Sequence, residues 1–357
     1  MPRQSPGPPN LFIMEKIEVS AYYLYLGRIK ESLNELLNEH ADAHLFILTD
    51  ENTHSACYPL IESALINRKH TIYTIPAGET NKSIETCVEV WRAMTTAQLD
   101  RHAIMINLGG GVIGDLGGFC ASTYKRGIKF INIPTTLLSQ VDASIGGKLG
   151  VDFEGFKNHI GVFKSPDAVL IDPTFLITLS DRELRSGYAE IIKHCLIADG
   201  DYWKELSLIH DLRQVDWMKI IRRSLEVKRK IVIDDPYEKN KRKLLNFGHT
   251  IGHAIESHFL KSNSPLLHGE AIAAGMIYET MLSAKQLRLR NHEQNDIINY
   301  IISLYGKPPS INMKAWLPIM KQDKKNINGK ISFSLLRDIG VSEWDVLLGD
   351  QELNELK

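Results

Sequence analysis

The sequence predicts an α/β N-terminal domain built on a Rossmann-like parallel sheet, followed by an all-α C-terminal domain. Three observations predict it. Short apolar runs alternate with amphipathic stretches from about residue 15 to 175. A glycine turn, Leu108-Gly-Gly-Gly-Val-Ile-Gly-Asp115, follows one of those runs and opens into a helical pattern. After Pro173 the periodicity becomes helical, with few β-branched runs.

Residues 1–14 are rich in Pro, Ser and Gly and read as a disordered lead-in, with Met14 a candidate start; the apolar stretch Leu11–Met14 is too short for a signal-peptide core or a membrane span. The α/β domain then occupies 15–175. Strands are expected at His44–Asp50, His70–Pro76, Ala103–Leu108, Phe130–Pro134 and Ala168–Asp172, with a helix over Ser83–Leu99. Ligands of such sheets bind beyond the carboxyl ends of the strands. The second domain, 176–357, has helical periodicity over Glu183–Ile197, Trp217–Ile233, Leu244–Phe259 and Glu270–Leu287.

Composition narrows the function. Apolar residues make up 43% and charged residues 24% of the 357, and the formal net charge is -1. That balance provides no field to attract nucleic acid or an anionic membrane, so small-molecule chemistry is favoured. The four cysteines, Cys57, Cys87, Cys120 and Cys195, are scattered singly, which argues against a disulfide scaffold or a thiolate metal site and suits a reducing cytoplasm.

Glycines in the 109–114 turn let the backbone approach a diphosphate, and the following helix presents its unpaired N–H groups to the anion. Asp115 is either a helix cap or a group facing the cofactor. Pro76-Ala-Gly-Glu79-Thr-Asn-Lys82 follows the second strand and brings Glu79 and Lys82 to the same sheet edge, where an acid can accept from ribose hydroxyls, although a simple turn accounts for it equally well. Asp50 ends the first of these strands, and Thr135 and Thr136 follow the Phe130–Pro134 strand.

Three histidines, His249, His253 and His268, fall within twenty residues. The four-residue spacing of the first two puts both imidazoles on one helix face. Glu190 lies three residues before Lys193 on an apolar helix and offers the carboxylate of a two-His, one-carboxylate metal site; spacing does not decide between His253 and His268 as the second histidine. Lys148, Lys157-Asn158, Lys193, Lys228 and Arg242 form a series of cations suited to an anionic substrate, with Lys148, Lys157 and Asn158 placed in glycine-bearing loops and Arg242 on the helix face of Asn246. A nicotinamide turn, an open-sided metal and an anion clamp together suggest oxidation of a hydroxyl on a phosphorylated polyol or sugar acid.

The chain closely resembles the 3-dehydroquinate synthase family. The resemblance is carried by GGGVIGDLGGF, PTTLLSQVDASIGGKLGV, KNHIG, GYAEIIK, LLNFGHTIGHAIES and LHGEAIAAGM, and runs from about residue 45 to 340. It implies a cytoplasmic homodimeric lyase with NAD and a divalent metal, zinc or alternatively cobalt. It implies the conversion of 3-deoxy-D-arabino-heptulosonate 7-phosphate to 3-dehydroquinate and phosphate, the second step of the shikimate route. Hydride leaves carbon 5 for NAD, phosphate is eliminated, hydride returns, the ring opens, and an intramolecular aldol reaction closes the carbocycle.

By motif, the resemblance implies Glu190, His249 and His268 as metal ligands, with His253 turned to the substrate or to proton transfer. It implies Asp50, Glu79, Lys82, Gly111, Val112, Ile113, Gly114, Asp115, Thr135, Thr136, Lys148, Lys157 and Thr178 on the cofactor, and Asp142 close to nicotinamide and substrate. It further implies Lys148, Asn158, Lys193, Lys228, Arg242 and Asn246 on the substrate, Arg126 reaching the neighbouring subunit's substrate phosphate, and Lys324 or Lys325 as a late lysine contact. Ala77 and Leu149 depart from the usual pattern without removing a functional group. Rival readings are a cyclase making an inosose or a valiolone, and a metal- and NAD-dependent polyol dehydrogenase. The retained Arg242, Asn246, His253 and Asp323-Lys-Lys count against the first.

Overall fold

The computed structural model describes residues 14–154, 156–260, 262, 264–322, 326 and 328–356. Residues 1–13 of the lead-in expected over 1–14, and the late lysines Lys324 and Lys325, lie outside them. The chain forms two compact units, residues 1–135 with 149–175, and residues 136–148 with 176–357.

In the first unit the strands are β1 (Glu15–Val19), β2 (Tyr22–Leu26), β3 (Leu45–Asp50), β4 (His70–Ile75), β5 (Ile104–Gly109), β6 (Lys129–Pro134), β7 (Lys148–Phe153), β8 (Phe156–Phe163) and β9 (Ala168–Ile171). Seven of them form one sheet in the order β1-β2-β9-β6-β5-β3-β4. The β1–β2 pair is antiparallel and every other pairing in that sheet is parallel. Alternate residues feed two cores. Leu45, Ile47, Ile104 and Ile106 face one, Phe46, Leu48 and Met105 the other, which is why these strands read as unbroken apolar runs. The path from β3 to β4 and back across to β5 reverses direction between β3 and β5. That reversal is a topological switch point, and the carboxyl ends of the two strands flank it.

Helices α1 (Ile29–Asn38), α2 (Glu51–Ala56), α3 (Tyr58–Ile61), α4 (Ile84–Thr96) and α5 (Gly111–Thr123) connect the strands. Strands β7 and β8 make a separate two-stranded sheet. Its backbones pass so closely that a Cβ on Gly161 would stand 2.2 Å from the Leu149 carbonyl oxygen.

The second unit contains α6 (Asp181–Ala198), α7 (Gly200–Leu206), α8 (Trp217–Asp234), α9 (His249–Phe259), α10 (His268–Leu287), α11 (Asn291–Tyr305), α12 (Met313–Met320) and α13 (Asp350–Asn354). Helix α6 starts where Ser180 accepts from the Glu183 amide and is buried from Ser186 to Ile197, so it is the unit's central rod. Three expectations are corrected here. The domain is not all-α, because β10 (Ile331–Asp338) and β11 (Val341–Leu348) form an antiparallel hairpin whose residues Ile331, Phe333 and Leu335 enter the core. Residues 136–148, expected in the α/β domain, belong to the second unit, where a π-helical turn (Ser139–Ala143) lies against α6 and α8. The helix expected over Leu244–Phe259 is broken: a 3₁₀ turn (Lys241–Asn246) ends at Phe247, Gly248 takes φ +79°, and α9 begins at His249.

Candidate functional site

In the first unit the candidate site is the carboxyl edge of the sheet at its switch point. Helix α5 begins directly after β5, with Gly110 as its N-cap and no side chain capping it. The first-turn amides of Gly111, Val112 and Ile113 are therefore the donors a helix leaves without an intrahelical partner, and they suit a diphosphate. Gly109 and Gly117 answer to space. A Cβ on Gly109 would stand 2.6 Å from the Ile113 side chain, and one on Gly117 2.0 Å from Asn107 Oδ1. Gly114 has nothing within 4 Å of its Cβ position.

Beside this turn, Lys82 donates to Asp115 Oδ2 at 2.6 Å and to Asn158 Oδ1 at 2.5 Å. Burial pushes the Lys82 ammonium down, but Asp115, with Glu79 and Asp152, more than offsets that and holds it above the ordinary lysine value. Lys157 pairs more loosely with the exposed Glu79, at 3.7 Å. Lys157 and Asn158 were expected in a loop and instead lie in β8, with Asn158 at φ +50° and its amide on Asp152 Oδ1. Asp50 ends β3 and caps α2, accepting from the Thr53 amide at 2.8 Å. Thr135 is buried after β6, and Arg126 is exposed at φ +70° in the turn after α5.

In the second unit, Glu190 sits midway along α6 and is fully buried. Its Oε2 accepts from Lys193 one helical turn on. Its Oε1 has no hydrogen-bond partner and faces His249 Nε2 at 3.5 Å and His268 Nε2 at 3.8 Å. A buried carboxylate oxygen with no donor is costly unless a cation completes it. Helix packing brings the three side chains together. A Cβ on Gly269 would stand 1.9 Å from the Ser186 carbonyl oxygen, so α10 meets α6 backbone to backbone beside His268 and Glu190.

Burial, reinforced by Lys193, His253 and His268, pushes His249 well below the ordinary imidazole value. A neutral imidazole is the form that ligates metal. The exposed His253 also has a ring nitrogen within 4.8 Å of those of His249 and His268. Asp142, Glu190 and His194 form another group of that compactness. That group already holds cations: Lys228 donates to Asp142 Oδ1 at 2.6 Å, and Lys193 lies on Glu190 and 3.9 Å from Asp142. Lys193 lies on Glu190 in either case, but Lys228 sits on Asp142 alone and would repel a dication there, whereas the unpartnered Glu190 Oε1 with His249 and His268 could hold a divalent metal.

Around this set the cations converge. Burial would raise the Asp142 carboxyl, but Lys228 and Lys193 override it and hold Asp142 well below the usual carboxylate range. Arg242 is buried, donates to the Pro236 carbonyl at 2.6 Å, and approaches Gly146, where a Cβ would stand 2.2 Å from its Nη2. Gly146 and Gly147 both take positive φ, so the Gly-Gly-Lys turn depends on glycine and presents Lys148 at the start of β7 rather than in a loop. Lys148 pairs with Glu238, whose other oxygen accepts from Asn246 Nδ2 at 2.7 Å. Even so, burial and the nearby Arg242, Lys228 and Lys193 push Lys148 down to about 8. Thr136 bonds to Ser139 within the π-turn segment, and Thr178 closes the 3₁₀ turn Pro173–Thr178. Sequence reasoning missed Glu238, which joins two expected substrate residues. Its signal is a non-glycine residue at φ +56°, which only the structure reveals.

A glycine turn at the switch point of a parallel sheet, and two histidines facing a buried carboxylate, suit an enzyme that uses a nucleotide and a metal, and the likeness to solved structures gives the class, the sugar phosphate cyclases. Of the solved structures, 2-epi-5-epi-valiolone synthase from Streptomyces hygroscopicus subsp. jinggangensis 5008, with NAD+ and Zn2+ bound, is similar with a TM-score of 0.84 at 27% identity, over 96% of this chain and 97% of that one. A 2-deoxy-scyllo-inosose synthase shares the fold with the same TM-score at 22% identity, over 96% of this chain and 98% of that one. Residues 72–186 match the 3-dehydroquinate synthase N-terminal family and residues 187–326 the 3-dehydroquinate synthase C-terminal family. The chain is 40% identical over 319 residues to 3-dehydroquinate synthase of Parabacteroides distasonis, 87% of this chain and 90% of that protein. It is 38% identical over 357 residues to that of Thermoanaerobacter pseudethanolicus, 97% of this chain and 99% of that protein. The chain belongs to the 3-dehydroquinate synthase family.

Proposed function

We propose that this enzyme converts 3-deoxy-D-arabino-heptulosonate 7-phosphate to 3-dehydroquinate and phosphate. The observation that carries the reading is the unpartnered Glu190 Oε1 facing two imidazole nitrogens, within a unit that also gathers Lys148, Lys193, Lys228 and Arg242. NAD supplies the hydride acceptor and donor when bound, and a divalent metal supplies Lewis acidity toward the substrate hydroxyls. Glu190, His249 and His268 would hold the metal. The α5 N-terminus, with Thr135, Thr136, Thr178, Asp50, Glu79, Lys82, Asp115 and Lys157, would hold NAD.

Arg242, Asn246, Lys148 and Asn158 bind the anionic groups of the substrate, and Lys193 and Lys228 orient its hydroxyls while keeping Asp142 ionised. His253, exposed beside the metal set, moves protons at the substrate. A ketone at carbon 5 would acidify carbon 6, so that the carbon 6 proton and the phosphate depart; because bound NAD would both take and return hydride, no net reduction would accumulate. We assign a homodimer in which Arg126 reaches the partner's substrate phosphate; its exposure supports this. Four buried cysteines, none in a disulfide, support a cytoplasmic setting. Among the described residues no helix is long and apolar enough to cross a membrane.

The test is incubation of metal-loaded protein with the heptulosonate phosphate and catalytic NAD. Equimolar phosphate and dehydroquinate are expected, without net NADH. Net NADH from an alcohol substrate would favour the polyol dehydrogenase reading, and phosphate release with an inosose or valiolone product would favour the other cyclases. No phosphate release would defeat the proposal.

A further inference from the structure

Glu279 is fully buried on α10, eleven residues after His268. Its Oε2 accepts from the Gly248 amide at 2.6 Å and Oε1 from the Ile251 amide at 2.9 Å, so it caps the N-terminus of α9 from outside. No side chain of the Gly248 N-cap itself does so. A carboxylate at a helix N-terminus is favoured by the helix dipole as well as by the two charge-assisted hydrogen bonds. Glycines make the reach possible. A Cβ on Gly275 would stand 2.0 Å from the Gly248 carbonyl oxygen and one on Gly248 2.5 Å from Met276, so α9 and α10 pack with backbones nearly touching.

The Gly248 amide belongs to the same peptide unit as the Phe247 carbonyl, and that carbonyl lies 3.1 Å from His249 Nδ1. A carbonyl only accepts, so Nδ1 carries the proton and the lone pair is on Nε2, the nitrogen facing Glu190 Oε1 at 3.5 Å. By accepting from the Gly248 N–H, the Glu279 carboxylate polarises the peptide toward its carbonyl oxygen and so strengthens that oxygen as an acceptor. A contiguous path therefore runs from Glu279 through the Phe247–Gly248 peptide to the His249 ring.

We propose that Glu279 is the positioning residue of His249, fixing its tautomer and ring orientation for metal through the peptide bond Phe247–Gly248. The inference rests on the assignment of His249 as a metal ligand. Helix α10 then does two jobs: it carries His268 and sets the geometry of His249.

Cobalt alone is the probe. Its affinity is measured by chelator competition and its environment by the visible d–d spectrum, on wild type, Glu279→Gln, Glu279→Ala and the control Ser283→Ala. Ser283 is buried on the same helix and bonds to the Glu279 carbonyl and the Leu336 amide, away from α9. Glu279→Gln keeps one acceptor and should weaken cobalt roughly tenfold, and Glu279→Ala roughly a hundredfold, both with an altered d–d spectrum. Ser283→Ala should lower stability while the folded protein keeps wild-type affinity and spectrum. Wild-type affinity and spectrum in folded Glu279→Gln would overturn the inference; wild-type protein binding no cobalt would overturn the metal assignment beneath it and this inference with it. If neither Glu279 variant folds, hydrogen exchange on wild type decides. Equal protection of the Gly248 and Ile251 amides with and without cobalt is expected, and protection that appears only with cobalt would overturn a clamp that precedes the metal.

Discussion

The α5 turn of the first unit and the histidine set of the second solve the problem of ligand binding in opposite ways. At α5 the groups are backbone amides, exposed by glycine and left without a side-chain cap. At the histidine set they are side chains from several elements, most already committed: Lys193 to Glu190, Lys228 to Asp142 and Lys148 to Glu238, with Glu190 Oε1 left without a hydrogen bond. A backbone site tolerates changes of side chain but not of space, whereas a preorganised side-chain site fails when one charge is removed.

The largest test of this contrast is Glu190→Gln. It removes the buried charge and places an amide in its position, so metal content should fall below one equivalent and turnover by at least roughly a hundredfold, checked by elemental analysis and phosphate release. Full metal occupancy in this variant would break the comparison. Gly117→Ala should instead act through space. Its Cβ would stand 2.0 Å from Oδ1 of the Asn107 side chain, whose Nδ2 donates to the buried Asn132 Oδ1, so urea unfolding should show a loss of about 1–3 kcal/mol with metal content unchanged. Gly114→Ala, with nothing near its Cβ, should not show that loss.

The smallest effect is electrostatic. A lysine pushed down to about 8 is protonated below that pH and mostly neutral at pH 9, whereas an ordinary lysine is still charged there. Acylation of Lys148 in the ligand-free protein should therefore rise through about pH 8, and a midpoint near 10.5 would show that the Glu238 ion pair dominates the neighbouring cations.

Legibility in the sequence follows the same division. The parallel strands of the first unit were readable because both faces are buried and each strand is a continuous apolar run, as in Leu45–Asp50 and Ile104–Gly109. The edge hairpin β1–β2 was not, since Glu15-Lys-Ile-Glu-Val looks like charged surface until the parallel partner β9 covers β2. The β10–β11 hairpin was missed because Ile331–Leu336 mixes Ser with apolar residues, yet is buried throughout. At the site, Glu190 and Lys193 pair as their helical spacing implied. Spacing left the choice among three histidines open; ring nitrogens of His249, His253 and His268 all lie within 4.8 Å of one another, and only the packing of α6 against α9 and α10 reveals that Glu190 Oε1 faces His249 and His268. The break at Gly248, which turns one expected helix into two elements, needs a positive φ that an interior glycine does not announce.

The account turns on which buried cluster takes the metal, and anomalous scattering from a zinc-loaded crystal tests that directly. It predicts one peak in reach of Glu190 Oε1, His249 Nε2 and His268 Nε2. A peak held by Asp142, Glu190 and His194 with Lys193 and Lys228 displaced, or no peak in either cluster, would contradict it.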